Sequence, residues 1–170
     1  HNKGNYRSLI FVEISADREQ CTYDVQRSSN IAAELELEIA KYLLSLKTSS
    51  VLHYITFYKD QKQLFNGGLS STLQLHGIHT VDGSQGLNAK GNCLLSIGRP
   101  SGIGFLSDIR RLNVSLTRGH LTIIVANSSV VNTKHPVGCV FQALRKISQN
   151  TQAYVLFDNT HPEQSLHAVL

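Results

Sequence analysis

Two arginines on one predicted helix are the residues of this sequence best placed to act on a phosphate group. Residues 107–118 read Ser-Asp-Ile-Arg-Arg-Leu-Asn-Val-Ser-Leu-Thr-Arg and contain no helix breaker before Gly119. Ser107 is a good N-cap, and the acid that follows it favours a first helical turn. Arg111 and Arg118 lie on nearly the same face, since seven residues at about 100° each complete two turns. Because guanidinium groups bind phosphate in a bidentate manner, this face suits a polyanion.

A solvated surface helix would show the same spacing, so the rest of the sequence must separate these two interpretations. The chain has 170 residues, of which 41% are hydrophobic and 16% charged, as is typical of one globular domain with its own core. Its formal net charge of +4 at pH 7 permits nucleic-acid binding without requiring it. Composition therefore excludes a disordered chain and leaves the class of partner open.

Cysteine and histidine spacing argues against a metal centre. The three cysteines, Cys21, Cys93 and Cys139, include no pair at metal-ligand spacing. Cys93 lies in an apolar run and Cys139 in a helical pattern, so we expect buried, reduced thiols. The eight histidines show no H-E-x-x-H or comparable spacing. No apolar run is long enough to span a membrane. We therefore expect an intracellular protein without a metal or membrane partner and, since the chain contains no Met, a longer parent polypeptide.

Six apolar runs alternate with helical patterns along the chain. The predicted strands are 8–14, 51–57, 73–81, 93–97, 121–126 and 153–157. The predicted helices are 28–46, 59–66, 107–118 and 137–148. Near-continuous apolar strands separated by helices are typical of a parallel sheet covered on both faces. The sequence therefore predicts an α/β fold in a single domain, residues 1–157, followed by a polar tail at 158–170.

The loop after the third predicted strand is expected at the ligand-binding rim of this sheet. Ligands of open parallel sheets bind outside the carboxyl ends of the strands, and residues 82–86 (Asp-Gly-Ser-Gln-Gly) follow such an end. The sequence has no G-x-x-x-x-G-K-[ST] loop for a triphosphate and no Asp-Glu pair after a strand for magnesium. A Rossmann-type enzyme is disfavoured because the first strand-to-helix turn is not Gly-rich. The chain alone therefore lacks a complete apparatus for nucleotide hydrolysis.

Three segments together carry a family resemblance. Residues 80–86 read Thr-Val-Asp-Gly-Ser-Gln-Gly, and residues 102–106 place Gly-Ile-Gly-Phe-Leu before the arginine helix at 107–118. Residues 55–61 read Ile-Thr-Phe-Tyr-Lys-Asp-Gln. The first two segments closely resemble motifs V and VI of superfamily 1B helicases, and the third is similar to their I-T-P-Y-x-x-Q motif. The resemblance covers about residues 8–150 and is nearest to the RNA/DNA helicases of nonsense-mediated decay and to senataxin-like helicases.

This resemblance implies the second RecA-like domain of a two-domain motor, in which ATP lies between the domains. The N-terminal RecA-like domain of the same polypeptide would hold ATP and Mg²⁺. Arg118 would be the arginine finger on the γ-phosphate, a group that can raise the rate by about 10³–10⁵. Arg111 would order or assist it. The alternative for Arg111 is a salt bridge to a neighbouring acid such as Asp82.

The resemblance also implies further contacts with the nucleotide. Gln85 would line the nucleotide cleft, and Asn88 would lie beside the ribose. Gly86 would allow the backbone to approach the γ-phosphate closely, because it has no Cβ. Together with Arg111 and Arg118, these residues make up the expected ATP-binding set.

A second set of residues is implied for single-stranded RNA or DNA. Thr80 would donate a hydrogen bond to a nucleic-acid phosphate, a contact that positions the strand without reading its sequence. Asp82 would help to couple the nucleotide cleft to the nucleic-acid groove. Tyr58 and Gln61 could face either cleft, and the alternative for Tyr58 is a ring packed on the sheet.

Several departures from the family pattern support a second hypothesis. The family motif continues Q-G-x-E, but Asn88 stands in the place of the glutamate that grips the ribose. Phe57 replaces the usual proline of the I-T-P-Y-x-x-Q motif. Residues 28–30 are similar to the start of the family's S-x-x-N-x-x-E segment, but Ala33 stands where its acid is expected. These changes favour a degenerate helicase domain that serves as a non-catalytic scaffold for nucleic acid or protein. The intact pair Arg111 and Arg118 favours the motor.

Overall fold

The apolar runs form one parallel sheet in the computed structural model of the chain, which describes residues 8–15, 30–45, 51–69, 75, 77–86, 91–97 and 104–158. The strands are β1 (Ser8–Ile14), β2 (Leu52–Thr56), β3 (Gly77–Thr80), β4 (Asn92–Ile97), β5 (Leu121–Asn127) and β6 (Tyr154–Phe157). They lie in the order β3-β2-β4-β5-β1-β6, and every neighbouring pair is parallel. This is the α/β fold that the apolar runs predict and the RecA-like class that the family resemblance implies.

Helices cover both faces of the sheet. The described helices are α1 (Asn30–Ser45), α2 (Lys59–Gly68), α3 (Ile109–Leu116), α4 (Ser128–Val131) and α5 (Gly138–Asn150). Residues of α1 and α2 share one buried apolar cluster with the sheet, and residues of α3, α4 and α5 share the other. Two short 3₁₀ turns, Asp82–Ser84 and Gly104–Ser107, precede and follow β4.

Alternate residues of each central strand supply these two clusters. On β1, Phe11 packs in the α3–α5 cluster and Val12 in the α1–α2 cluster. On β4, Leu95 and Leu94 divide in the same way, and all four side chains are fully buried. Fully burying one such side chain contributes about 1.5–3 kcal/mol. A sheet with two dry faces therefore explains why the strands read as continuous apolar runs.

The arginine helix is shorter than the sequence predicts, and its cap is a different residue. Oδ1 of Asp108 accepts hydrogen bonds from the backbone N–H groups of Arg110 at 3.0 Å and Arg111 at 3.4 Å. Ser107 ends the preceding 3₁₀ turn instead, where its Oγ donates to the carbonyl of Gly104 at 2.8 Å. The prediction that Ser107 is the N-cap is therefore wrong. Since α3 ends at Leu116, Arg118 lies beyond the helix.

Other predictions need smaller corrections. The third strand comprises only Gly77–Thr80, and the short helix α4 was not predicted. Cys93 is buried as predicted, but Cys139 is exposed because it lies on the outer side of α5. Of the predicted tail, only Asp158 belongs to the described residues. Within the described part of the chain, every helix is too short or too polar to cross a membrane.

Candidate functional site

A cavity of about 340 Å³ lies at the carboxyl ends of β2 and β3, against the start of α3. Its lining residues are Phe57, Tyr58, Lys59, Asp60, Thr80, Val81, Asp82 and Arg111. β2 and β3 are parallel neighbours, so the segments that follow them meet at the same edge of the sheet. The structure therefore brings together four residues that sequence analysis assigned to ligand contacts, namely Tyr58, Thr80, Asp82 and Arg111.

The turn after β3 is fixed to the strand by its own side chains. Oγ1 of Thr80 accepts a hydrogen bond from the backbone N–H of Gly83 at 3.3 Å. Oγ of the buried Ser84 donates to the carbonyl of Val81 at 2.7 Å. Gly86 has a φ of +79°, and a Cβ built on it would meet nothing within 4 Å. The backbone at Gly86 therefore faces open space in a conformation that favours glycine, which is compatible with a closely approaching ligand.

Arg111 joins the arginine helix to this turn through a bidentate ion pair. Its Nε donates to Oδ1 of Asp82 at 3.0 Å, and its Nη2 donates to Oδ2 of Asp82 at 3.3 Å. A second acid, Asp108, lies 3.6 Å from Nη1. The hydrogen bond to Asp82 raises the pKa of Arg111 above its ordinary value. The salt bridge considered for Arg111 is thus the contact that the structure contains, and its role on a nucleotide stays a prediction.

Asp82→Asn is expected to leave the urea midpoint of unfolding nearly unchanged, because the ion pair is solvent-exposed and screened. The Arg111 side chain is 34% accessible and the Asp82 side chain 61%. Urea unfolding of both forms measures the difference, with Asp60→Asn as a control from the same cavity. A large drop in the midpoint for Asp82→Asn alone would show that the pair is mainly a structural contact.

Arg118 lies apart from this cavity. Its Nε donates to the carbonyl of Val114 at 3.0 Å and its Nη2 to Oγ1 of Thr117 at 3.2 Å, so the guanidinium lies back against the end of α3. Burial raises the pKa of the Cys93 thiol to about 11, and the positive charge of Arg118 opposes that rise. Cys93 is the second residue of β4, which places Arg118 towards the amino-terminal edge of the sheet. The structure therefore does not bring Arg118 and Arg111 to one cavity.

Two of the residues assigned to nucleic acid are buried in the domain. Tyr58 is only 6% exposed and belongs to the apolar cluster on the α3 side, so the packed-ring alternative describes its position. Gln61 is fully buried and hydrogen-bonds with Glu36. The amide of Gln61 therefore lies inside the core and not at a cleft surface, and its contact with nucleic acid stays a prediction. Gln85 is exposed beside the turn, and Asn88 lies outside the described residues.

A buried polar cluster that the sequence did not predict is centred on Glu36. Oε2 of Glu36 accepts a hydrogen bond from the hydroxyl of Tyr54 at 2.7 Å, and Oε1 accepts one from Ser96. Burial raises the pKa of Glu36 from 4.5 to about 7, and the bonds from Ser96, Tyr54 and Gln61 only partly oppose this shift. Glu36 lies four residues from both Ala32 and Ala40 on the buried face of α1. In the sequence, an acid within the apolar stripe of this helix was the one feature that could have indicated the buried polar cluster.

A second buried acid, Glu13 on β1, contacts residues that follow β5 and residues of α5. Its Oε1 pairs with Nη1 of Arg145 at 3.1 Å, and its Oε2 accepts a hydrogen bond from Ser128 at 2.6 Å. The side chain of Glu13 is only 5% accessible, so it needs both partners. This contact fixes α5 to the ends of β1 and β5.

The described residues contain no group of three or more His, Cys, Asp or Glu side chains that could hold a metal ion.

The parallel sheet with helices on both faces defines a RecA-like α/β domain. Residues 1–129 match the family described as AAA domain, which is more than half of the chain. The chain therefore belongs to this AAA domain family, in the superfamily 1 helicase type represented by the relatives below.

Three curated proteins illustrate this relationship. The chain is 34% identical over 116 residues to the regulator of nonsense transcripts 1 homolog of Arabidopsis thaliana, covering 62% of this chain and 9% of that protein. It is 33% identical over 115 residues to a putative regulator of nonsense transcripts 1 of Takifugu rubripes, covering 62% and 10%. It is 28% identical over 147 residues to a probable helicase of Dictyostelium discoideum, covering 76% and 14%. The chain thus spans only about a tenth of the length of these relatives.

Proposed function

We propose that this chain is the second motor domain of an ATP-dependent RNA or DNA helicase. The observation that carries the proposal is the bidentate contact between Arg111 and Asp82, which joins the motif VI-like helix to the motif V-like turn beside Thr80. The relatives named for helicase activity or for nonsense transcripts support it, since both segments fall within the matched region.

The nucleotide would bind between this domain and an N-terminal RecA-like domain of the same polypeptide. That other domain would hold most of ATP and its Mg²⁺. This chain would contribute Gln85, the open backbone at Gly86, Arg111 and Arg118, with Asn88 near the ribose. ATP supplies the phosphoryl group whose transfer to water drives the motor.

Arg111 is placed to exchange one anion for another. Its two donor groups already bind a carboxylate in a bidentate manner, and phosphate oxygens can accept the same pair of hydrogen bonds. An arriving phosphate would compete with Asp82 for these donors. Asp82 would then be released from α3, which offers a physical route from nucleotide binding to the turn after Thr80.

Single-stranded nucleic acid would be held by charge and by backbone contacts. Lys59 is exposed at the cavity, and the hydroxyl of Thr80 lies at the end of β3 on the same side. Contacts of this type bind phosphates without reading bases, so we expect little sequence preference. The net charge of +4 favours the encounter.

Binding of a single-stranded oligonucleotide to the 170-residue chain is expected to be weak and to fall as salt rises. Lys59→Ala should reduce the slope of log K against log salt by about 0.7, the value for one single-strand phosphate contact. Fluorescence anisotropy over a salt series measures both slopes, with the exposed Lys146→Ala on α5 as the matched control. Tight binding that does not respond to salt, or equal effects of the two variants, would contradict this groove.

A non-catalytic scaffold is the second candidate function. The observation that favours it is that both arginines already have partners inside the domain, Arg111 with Asp82 and Arg118 with Val114 and Thr117. The complete reading frame separates the two candidates. A G-x-x-x-x-G-K-[ST] loop upstream supports the motor, and its absence supports the scaffold.

A further inference from the structure

Two histidines on neighbouring strands direct ring nitrogens at one point above Gly77. In the pairing of β2 with β3, His53 lies opposite Gly77, and Ile55 lies opposite His79. His53, Gly77 and His79 therefore share one face of the sheet. A Cβ built on Gly77 would lie 2.2 Å from Nε2 of His79 and 3.0 Å from Nδ1 of His53. The two imidazoles thus occupy the room that a side chain at position 77 would need.

The local environment leaves His79 suited to act as a ligand. Its Nε2 is buried and has no hydrogen-bond partner within the part of the chain that the structure describes. In a neutral imidazole, a ring nitrogen that carries no proton offers its lone pair to a metal ion. The two ring centroids are 5.6 Å apart and the planes tilt by 34°, so the rings do not stack on each other.

We propose that His53 and His79 form a binding site for a divalent first-row transition-metal ion, for which Zn²⁺ is the representative. Imidazole nitrogen is a preferred ligand of zinc, copper and nickel ions. A zinc ion binds such a nitrogen at about 2.0–2.1 Å. Nδ1 of His53 and Nε2 of His79 both lie beside Gly77, so a small movement of the two rings would place an ion between them. Binding through Nδ1 of His53 and Nε2 of His79 leaves one N–H on each ring.

Water completes the coordination of this ion. β3 is the outer strand of the sheet that the structure describes, and His79 is only partly buried, so its ring borders solvent although Nε2 itself is covered. The described residues offer no third His, Cys, Asp or Glu ligand at this point, and Lys62 opposes a cation. The affinity is therefore lower than that of a structural four-ligand zinc site, and a chelator removes the ion readily.

The site would clamp the outer strand to the sheet. Gly77 begins β3, and Thr80 ends it at the candidate cavity. A metal that joins His53 to His79 would hold β3 against β2, close to the strand end that lines the cavity. The proposal does not depend on the helicase function, because it rests on the register of two strands alone.

Isothermal titration of the tag-free chain with zinc chloride tests the site. We expect wild type to bind one zinc ion and to gain several degrees in Tm at saturation, whereas magnesium chloride produces neither effect. His53→Ala and His79→Ala should each weaken zinc binding by about tenfold or more. His120→Ala, which replaces an exposed histidine elsewhere, should bind zinc as wild type does.

A glycine variant tests the geometry while both imidazoles remain. Gly77→Ala places a methyl group 2.2 Å from Nε2 of His79 and should abolish zinc binding, whereas Gly67→Ala has open space around it and should not. Circular dichroism without metal shows whether each variant is folded, and His79→Gln provides a polar replacement should His79→Ala unfold. Absence of zinc binding by wild type would overturn the proposal. Unchanged binding by folded His79→Gln and Gly77→Ala would also overturn it.

Discussion

Arg118→Ala in the full-length polypeptide is expected to lower ATP turnover by about 10³–10⁵, the effect of removing an arginine finger. A guanidinium near the γ-phosphate stabilises the charge that spreads over the phosphoryl oxygens in the transition state. The affinity of the Arg118→Ala variant for single-stranded nucleic acid should stay near that of wild type, because Arg118 lies outside the cavity that Thr80 and Lys59 line. Steady-state ATP hydrolysis and anisotropy with the same oligonucleotide measure the two effects.

The geometry of Arg118 sets the control for that experiment. In the structure its guanidinium contacts Val114 and Thr117, so it must leave the end of α3 to reach a phosphate. Arg110→Ala removes an exposed arginine from α3, the helix whose end Arg118 contacts, and should leave turnover nearly unchanged. Equal turnover of the Arg118 variant and wild type would refute the assignment as arginine finger. Equal losses in both variants would point to a general effect of charge on the helix.

Glu36→Gln is expected to remove a pH dependence of stability worth about 3 kcal/mol. Burial raises the pKa of Glu36 in the folded chain from 4.5 to about 7. Between these two values the folded state keeps a proton that the unfolded state releases, so the free energy of unfolding falls as pH rises. The stabilisation that the protonated Glu36 gives to the folded state is complete below pH 4.5 and is lost as the pH rises to about 7.

Urea unfolding at several pH values tests this expectation. The difference between wild type and Glu36→Gln should change steadily from pH 4.5 to 7, because glutamine cannot titrate. Glu38→Gln is the matched control, since that acid lies on the same helix but has a side chain 48% accessible to solvent. A wild-type profile parallel to that of Glu36→Gln would contradict the raised pKa.

The fold was accessible from sequence because hydrophobic pattern and chain order determine most of it. Apolar runs such as Leu121–Asn127 allow little except a strand with two dry faces. The first and last residues of each helix were harder to predict from the sequence, as the N-cap of α3 shows. Ser107 and Asp108 can both cap a helix, and only the preceding 3₁₀ turn decides between them.

The site was accessible only in part. The motif resemblance led to Asp82 and Arg111, and their ion pair agrees with the alternative that the sequence left open. The burial of Gln61 was not visible, because its partner Glu36 comes from a helix 25 residues earlier. The convergence of His53 and His79 also depends on strand register, which local spacing does not reveal.

Nucleic-acid-stimulated ATP hydrolysis by the complete polypeptide decides whether this domain forms half of a nucleotide clamp whose other half belongs to the same chain. We expect hydrolysis to rise when single-stranded RNA or DNA is added, and the 170-residue chain alone to show none. A complete polypeptide that binds the strand but never hydrolyses ATP would contradict the motor and support the scaffold.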